Sequence, residues 1–125
     1  MQKDAIDWSA LETLTAIQKP GKQDLRVRYM TLFLRSSMAL MEGIKEALIA
    51  SDKQLLTESA HTLKTTCLMI GTMKLADTCA RLEQIGRGNA LQDAGDLPIL
   101  AVEQYEEVTA AFREALQRGV SNRRL

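Results

Sequence analysis

Apolar residues recur along this chain at steps of three and four, in runs separated by glycine, proline and capping residues, with no period-two alternation. The first run carries Leu11, Leu14 and Ile17. It opens on Ser9-Ala10-Leu11-Glu12, which has the form of a capping box, and Pro20-Gly21 stops it. Asp24 predicts the start of a long helix with Leu25, Tyr29, Leu32, Ser36, Leu40, Ile44 and Leu48 along one stripe, ending near Ala50. Met30, Phe33, Leu34 and Met41 widen that face, which predicts cover from two sides, the bundle and the short N-terminal helix. Ser51-Asp52-Lys53-Gln54 is a second capping-box candidate, opening a third helix that Gly71 closes. Thr72 then caps a fourth helix carrying Leu75, Ala76, Cys79, Leu82 and Ile85, until Gly86 and Gly88 break it. Asn89 to Gly95 reads as a loop. Asp96-Leu97-Pro98 begins the last helix, in which Leu100, Ala101, Gln104, Tyr105, Val108, Phe112 and Ala115 repeat towards Gly119.

This order of elements predicts an all-α fold, an antiparallel up-down-up-down four-helix bundle with a short extra N-terminal helix. Almost no residues separate the third and fourth helices, so those two must run antiparallel. A chain of 125 residues with 46% hydrophobic content can enclose one core, and residues 1–125 read as a single domain with 119–125 a frayed tail. Sixteen basic and sixteen acidic residues cancel, leaving no global field to draw in nucleic acid or anionic lipid. The one basic cluster, Arg123 and Arg124, falls in the terminal tail. No stretch approaches the ~18 consecutive apolar residues of a membrane span, so the expected location is the cytoplasm. Cys67 and Cys79 lie inside helical patterns and read as buried thiols. With one histidine and no Cys/His cluster, no metal is expected, and with no glycine-rich phosphate loop, no cofactor is expected.

That histidine, His61, changes the picture. A lone histidine in a bundle is by default a satisfied core residue or an indifferent surface one. In the third helix, however, Leu56, Ala60, Leu63, Cys67 and Ile70 form the core stripe, and at roughly 100° per residue His61 projects about 140° from its centre. The same arithmetic places Gln54, Thr57, Lys64, Thr65 and Leu68 around it. Imidazole in water titrates near pH 6.5, so an exposed ring near neutral pH is in good part unprotonated and nucleophilic without a neighbouring base. Lys64, at i+3, can bring an ammonium to the same region, an attractive counter-charge for a phosphorylated ring. Neither a Ser or Cys nucleophile with a base nor paired carboxylates surround the ring, so help for any reaction must come from a partner.

The segment Ala60-His61-Thr62-Leu63-Lys64-Thr65-Thr66-Cys67-Leu68-Met69-Ile70-Gly71 resembles the signature of histidine-containing phosphotransfer (HPt) domains, an Ala-His-x-Leu-Lys-Gly-Ser-like run with glycine ten residues after the histidine. Leu75-Ala76 through Cys79-Ala80-Arg81-Leu82-Glu83 resembles the family's following helix with its Leu-Glu pair, and Asp52, the Leu25 to Ala50 helix and Asp7-Trp8-Ser9 also fall where the family has them. The resemblance implies a relay intermediate. A phosphoryl group would pass from the receiver aspartate of a hybrid sensor kinase to His61 Nε2, then to the aspartate of a response regulator, with Lys64 holding phosphoryl oxygens. It also implies a phosphocarrier without kinase activity of its own, and the exposed docking face suggests a monomer. Gln54, Thr57, Thr65 and Leu68 would form that receiver-docking face. Thr65 departs from the family's usual glycine, and Leu68 from its small or polar residues. The alternative is an adaptor bundle that docks on receiver or kinase domains without carrying phosphate, which leaves the His61 and Lys64 pair without an electrostatic purpose.

Overall fold

The computed structural model describes residues 5–88 and 91–119, and among them five α-helices follow the expected punctuation. They are α1 (Trp8–Glu12), α2 (Leu25–Ala50), α3 (Lys53–Ile70), α4 (Met73–Arg87) and α5 (Leu97–Arg118). The turns at 51–52 and 71–72 are so short that α2, α3 and α4 must fold back on one another, and α5 packs against both α4 and α2. The four long helices thus close the expected bundle, with α1 as an extra piece at one end.

The caps explain the boundaries, and two are shifted from the sequence reading. Asp7, not Ser9, caps α1, its carboxylate accepting from the Ser9 backbone N–H at 3.1 Å. The chain then tightens into a 3₁₀ turn over Thr13–Ile17, which takes the next apolar residues off the line of the first. Leu11 is fully buried, Leu14 only half-buried, and Ile17 exposed. Asp24 caps α2 as expected, accepting from Arg26 N–H at 2.9 Å. Ser51 adopts a left-handed conformation (φ 56°) that ends α2, so it cannot open α3; Asp52 does so, accepting from Leu55 N–H at 3.0 Å.

The buried line of α2 is Met30, Phe33, Ser37, Met41, Ile44 and Ala47, about one residue around the cylinder from the expected stripe. Leu32 and Ser36 face outward. A helix apolar on so wide an arc has two candidate stripes, and only its neighbours choose between them. Here Phe33 meets Phe112 edge-on at 5.5 Å, Phe112 meets Trp8 at 5.9 Å, and the Ser37 hydroxyl bonds that of Tyr105 at 2.9 Å. On α5, Ala101, Val108, Phe112 and Ala115 turn inward as expected and Leu100 does not. The predicted 89–95 loop contains a 3₁₀ turn at Leu91–Ala94, while 89–90 and 120–125, with Arg123 and Arg124, lie outside the described residues.

The α3 stripe is as expected: Leu56, Ala60, Leu63, Cys67 and Ile70 are all buried. Cys67 and Cys79 are buried free thiols. Two glycines set how α3 meets its neighbours. Gly71 ends α3 at φ 87°, and its carbonyl accepts from Asp7 N–H at 2.7 Å, which anchors the N-terminal segment; a Cβ there would lie 2.5 Å from the Asp7 carbonyl oxygen. Gly86, expected to break α4, instead continues it to Gly88. A Cβ at Gly86 would collide with the Thr57 hydroxyl and sit 3.1 Å from Thr57 N and 3.2 Å from Lys53 O, so this glycine lets α4 lie directly against the first turns of α3.

Candidate functional site

Because Ala60 and Leu63 are locked into the core, the backbone between them presents His61 on the outer side of α3, with 54% of its side chain exposed. The ring is not alone there. On α4, Cys79, Leu82 and Gly86 face α3, and Glu83 shares their side, so its carboxylate lies at the helix–helix seam with the residue only 5% exposed. The close approach at Gly86 brings that carboxylate within reach of three groups. His61 Nδ1 stands 3.0 Å from Oε2. The Arg87 guanidinium, one turn further along α4, donates to the same oxygen from Nη2 at 2.8 Å and Nε at 3.2 Å. Lys64 Nζ lies 2.9 Å from Oε1, close enough for an ion pair but off the line of a hydrogen bond, so Oε1 has no aligned donor.

Burial alone would push the Glu83 carboxyl up, but the contacts with Lys64, Arg87 and His61 outweigh it and hold the group at about 2. The carboxylate therefore carries no proton of its own near neutral pH, and Nδ1 of His61 must be the donor in their bond. That settles the tautomer of the neutral ring: the proton is on Nδ1, and Nε2, across the ring from the carboxylate, keeps its lone pair. An exposed imidazole with a fixed nucleophilic nitrogen, next to a carboxylate that also holds an ammonium and a guanidinium, is suited to receive an electrophile.

The family model of the Hpt domain matches residues 28–119. This chain belongs to the Hpt domain family. Its role is accordingly histidine phosphotransfer in a phosphorelay. Among solved structures, it is similar to histidine-containing phosphotransfer protein B (HptB) from Pseudomonas aeruginosa PAO1, at 26% identity and a TM-score of 0.83, over 94% of this chain and 98% of that one. No curated protein sequence matches it. Among the described residues of this Hpt protein no helix is long and apolar enough to cross a membrane.

The residues singled out from sequence are only partly together. His61, Thr65 and Leu68 share the outer face of α3, Leu68 being 49% exposed. Thr65 turns its hydroxyl back onto the His61 carbonyl at 3.1 Å, leaving its methyl group as the rest of what it presents. Gln54 is exposed and donates to Glu58 at 3.1 Å. Thr57 is half-buried beneath Gly86, its hydroxyl donating to the Lys53 carbonyl at 2.8 Å. Lys64 is tied to Glu83 rather than held free beside the ring.

Two functional candidates lie outside the site expected from the sequence: Arg87, and Glu83, which enters there only as half of the Leu82-Glu83 pair. A ring with Lys64 as its only charged neighbour was expected, and the correction comes from α4, whose distance from His61 along the chain hides the contact. One signal was available: Glu83 falls in phase with Cys79, Leu82 and Gly86, and a carboxylate on a core-facing line needs a cationic partner nearby.

Proposed function

We propose that His61 is the phosphoacceptor of this relay protein, taking a phosphoryl group on Nε2 from a receiver aspartyl phosphate and returning it to the aspartate of a response regulator. The observation that carries this reading is the bond from Nδ1–H to Glu83, which leaves the Nε2 lone pair as the ring's nucleophile on an exposed helix face. In the first transfer, the Nε2 lone pair forms the bond to phosphorus as the P–O bond of the acyl phosphate breaks. The receiver carboxylate leaves with the electron pair. The ring keeps its Nδ1 proton and becomes cationic, beside a carboxylate already in place to balance it. The reverse sequence onto a second receiver regenerates the neutral ring. Lys64 is the cation best placed on α3 to turn towards phosphoryl oxygens.

In this reading the docking face is built on His61, Thr65 and Leu68, an apolar spot with polar surroundings suited to a transient complex with receiver domains in the cytosol. The protein carries the group and leaves metal-assisted chemistry to its partner. The test is to incubate the purified protein with phosphorylated receiver domains and look for acid-labile, base-stable label. The label should appear on the wild type and be lost in His61→Gln. Label persisting in the variant would exclude His61, and a wild type unlabelled by every receiver would point to an adaptor.

A further inference from the structure

Resting on the reading of His61 as phosphoacceptor, we infer that Arg87 is a positioning residue that keeps the acceptor ring unprotonated, by sharing with it the carboxylate oxygen that accepts from the ring. The need for such a residue follows from the bond that fixes the tautomer. A carboxylate against an imidazole favours the doubly protonated, cationic ring as well as the Nδ1–H form, because the same oxygen accepts from Nδ1 in both. The cationic ring carries a proton on Nε2 and has no lone pair there to attack phosphorus. Glu83 taken alone would orient the nucleophile and at the same time favour its loss to a proton.

The surroundings of Oε2 oppose that second effect. Arg87 donates to it from Nη2 at 2.8 Å and from Nε at 3.2 Å, and His61 Nδ1 stands at 3.0 Å. Two groups that meet on one oxygen at these distances lie within about 6 Å of each other, where one positive charge makes a second costly. The guanidinium also draws on electron density that the ring would otherwise have to itself. Against its burial, the contacts with Lys64, Arg87 and His61 hold the Glu83 carboxyl at about 2, so its pull on a further proton is weak. This effect is on the proton and needs no contact between Arg87 and Nε2. Among the described residues, the other charged groups near the ring do not replace it. Lys64 sits on the opposite oxygen, Oε1, at 2.9 Å. Glu58, one turn before His61 on α3, is exposed and accepts from Gln54 at 3.1 Å, so water screens it. Asp77 and Arg81, further along α4, pair with each other. The Arg87 side chain is itself 61% exposed, which keeps its effect modest.

His61 is the only histidine of the chain, so the ring C–H signals of histidine in proton NMR report its protonation without interference. The midpoint of that titration should lie about 0.5 pH unit higher in Arg87→Gln than in the wild type, the size of a unit charge at this range in a mostly aqueous setting. Arg87→Lys, which keeps a cation on the same face of α4, should fall closer to the wild type. Added salt should narrow the difference between wild type and Arg87→Gln. Reactivity should follow. With phosphoramidate as a partner-free donor, Nε2 forms the bond to phosphorus, the P–N bond breaks, and ammonia leaves with the electron pair. The ratio of wild-type to Arg87→Gln labelling rates should grow about threefold from the alkaline to the acid side of the titration. A midpoint in Arg87→Gln equal to or below that of the wild type would overturn the inference, and a change confined to thermal stability would make Arg87 merely structural. Label that persists in His61→Gln would instead overturn the phosphoacceptor reading, a failure visible apart from the titration.

Discussion

The Glu83 carboxylate should leave a signature in the acid stability of the fold. Its ordinary value is 4.5 and the folded protein holds it at about 2. A folded-state value below the unfolded one means that the stabilisation is fully present above about pH 4.5 and is lost as pH falls through the folded value. At 1.36 kcal/mol per unit, the gap corresponds to about 3 kcal/mol at neutral pH, of which roughly half is left at pH 3 and little at pH 2. Urea unfolding of wild type and Glu83→Gln at several values between pH 7 and pH 2 isolates this contribution. The variant has its own constant cost, whereas the change in the difference with pH belongs to the carboxylate. Asp24 is also held below the usual carboxylate range, chiefly by hydrogen bonds from the Arg26 side chain, but it is common to both proteins and cancels. Stability curves that stay parallel from pH 5 to pH 2 would refute the three-cation arrangement around Glu83.

Gly86→Ala should destabilise the protein by about 1 to 2 kcal/mol in urea unfolding, because the new Cβ would press on Thr57 N and Lys53 O, a cost only partly offset by the better helix propensity of alanine. The same variant should slow phosphotransfer by moving Glu83 relative to His61; unchanged stability together with unchanged transfer would refute the close α3–α4 approach. Thr65→Gly should lose only about 0.3 kcal/mol of helix propensity inside α3, threonine being itself a poor helix former, and should change transfer rates unequally across several receivers. Equal rate changes with every receiver would remove the idea that Thr65 contributes to docking selectivity.

Where a helix had one narrow apolar stripe, the chain alone was sufficient. The α3 pattern Leu56, Ala60, Leu63, Cys67 and Ile70 is buried as its spacing requires, and the outward direction of His61 follows from it because a helix has one screw. Asp24, Gly71 and Pro98 mark ends for reasons internal to their own turns, and they were legible for the same reason. Legibility failed on α2, where Phe33 or Leu32 could equally have led the buried line and only the rings of Phe112 and Tyr105 decided. It failed too at Gly86, whose role depends on the backbone of another helix.

The candidate site divides along the same line. The presence of an exposed imidazole with Lys64 one turn away is a property of local geometry, and the order of residues determined it. The tautomer of the ring, the direction in which Lys64 reaches, and the recruitment of Arg87 belong to a carboxylate that lies 22 positions further along the chain. Helical periodicity relates neighbours within a few turns, whereas a contact across two helices depends on how closely they pack and in what register, and that was decided only when Gly86 let α4 settle onto α3.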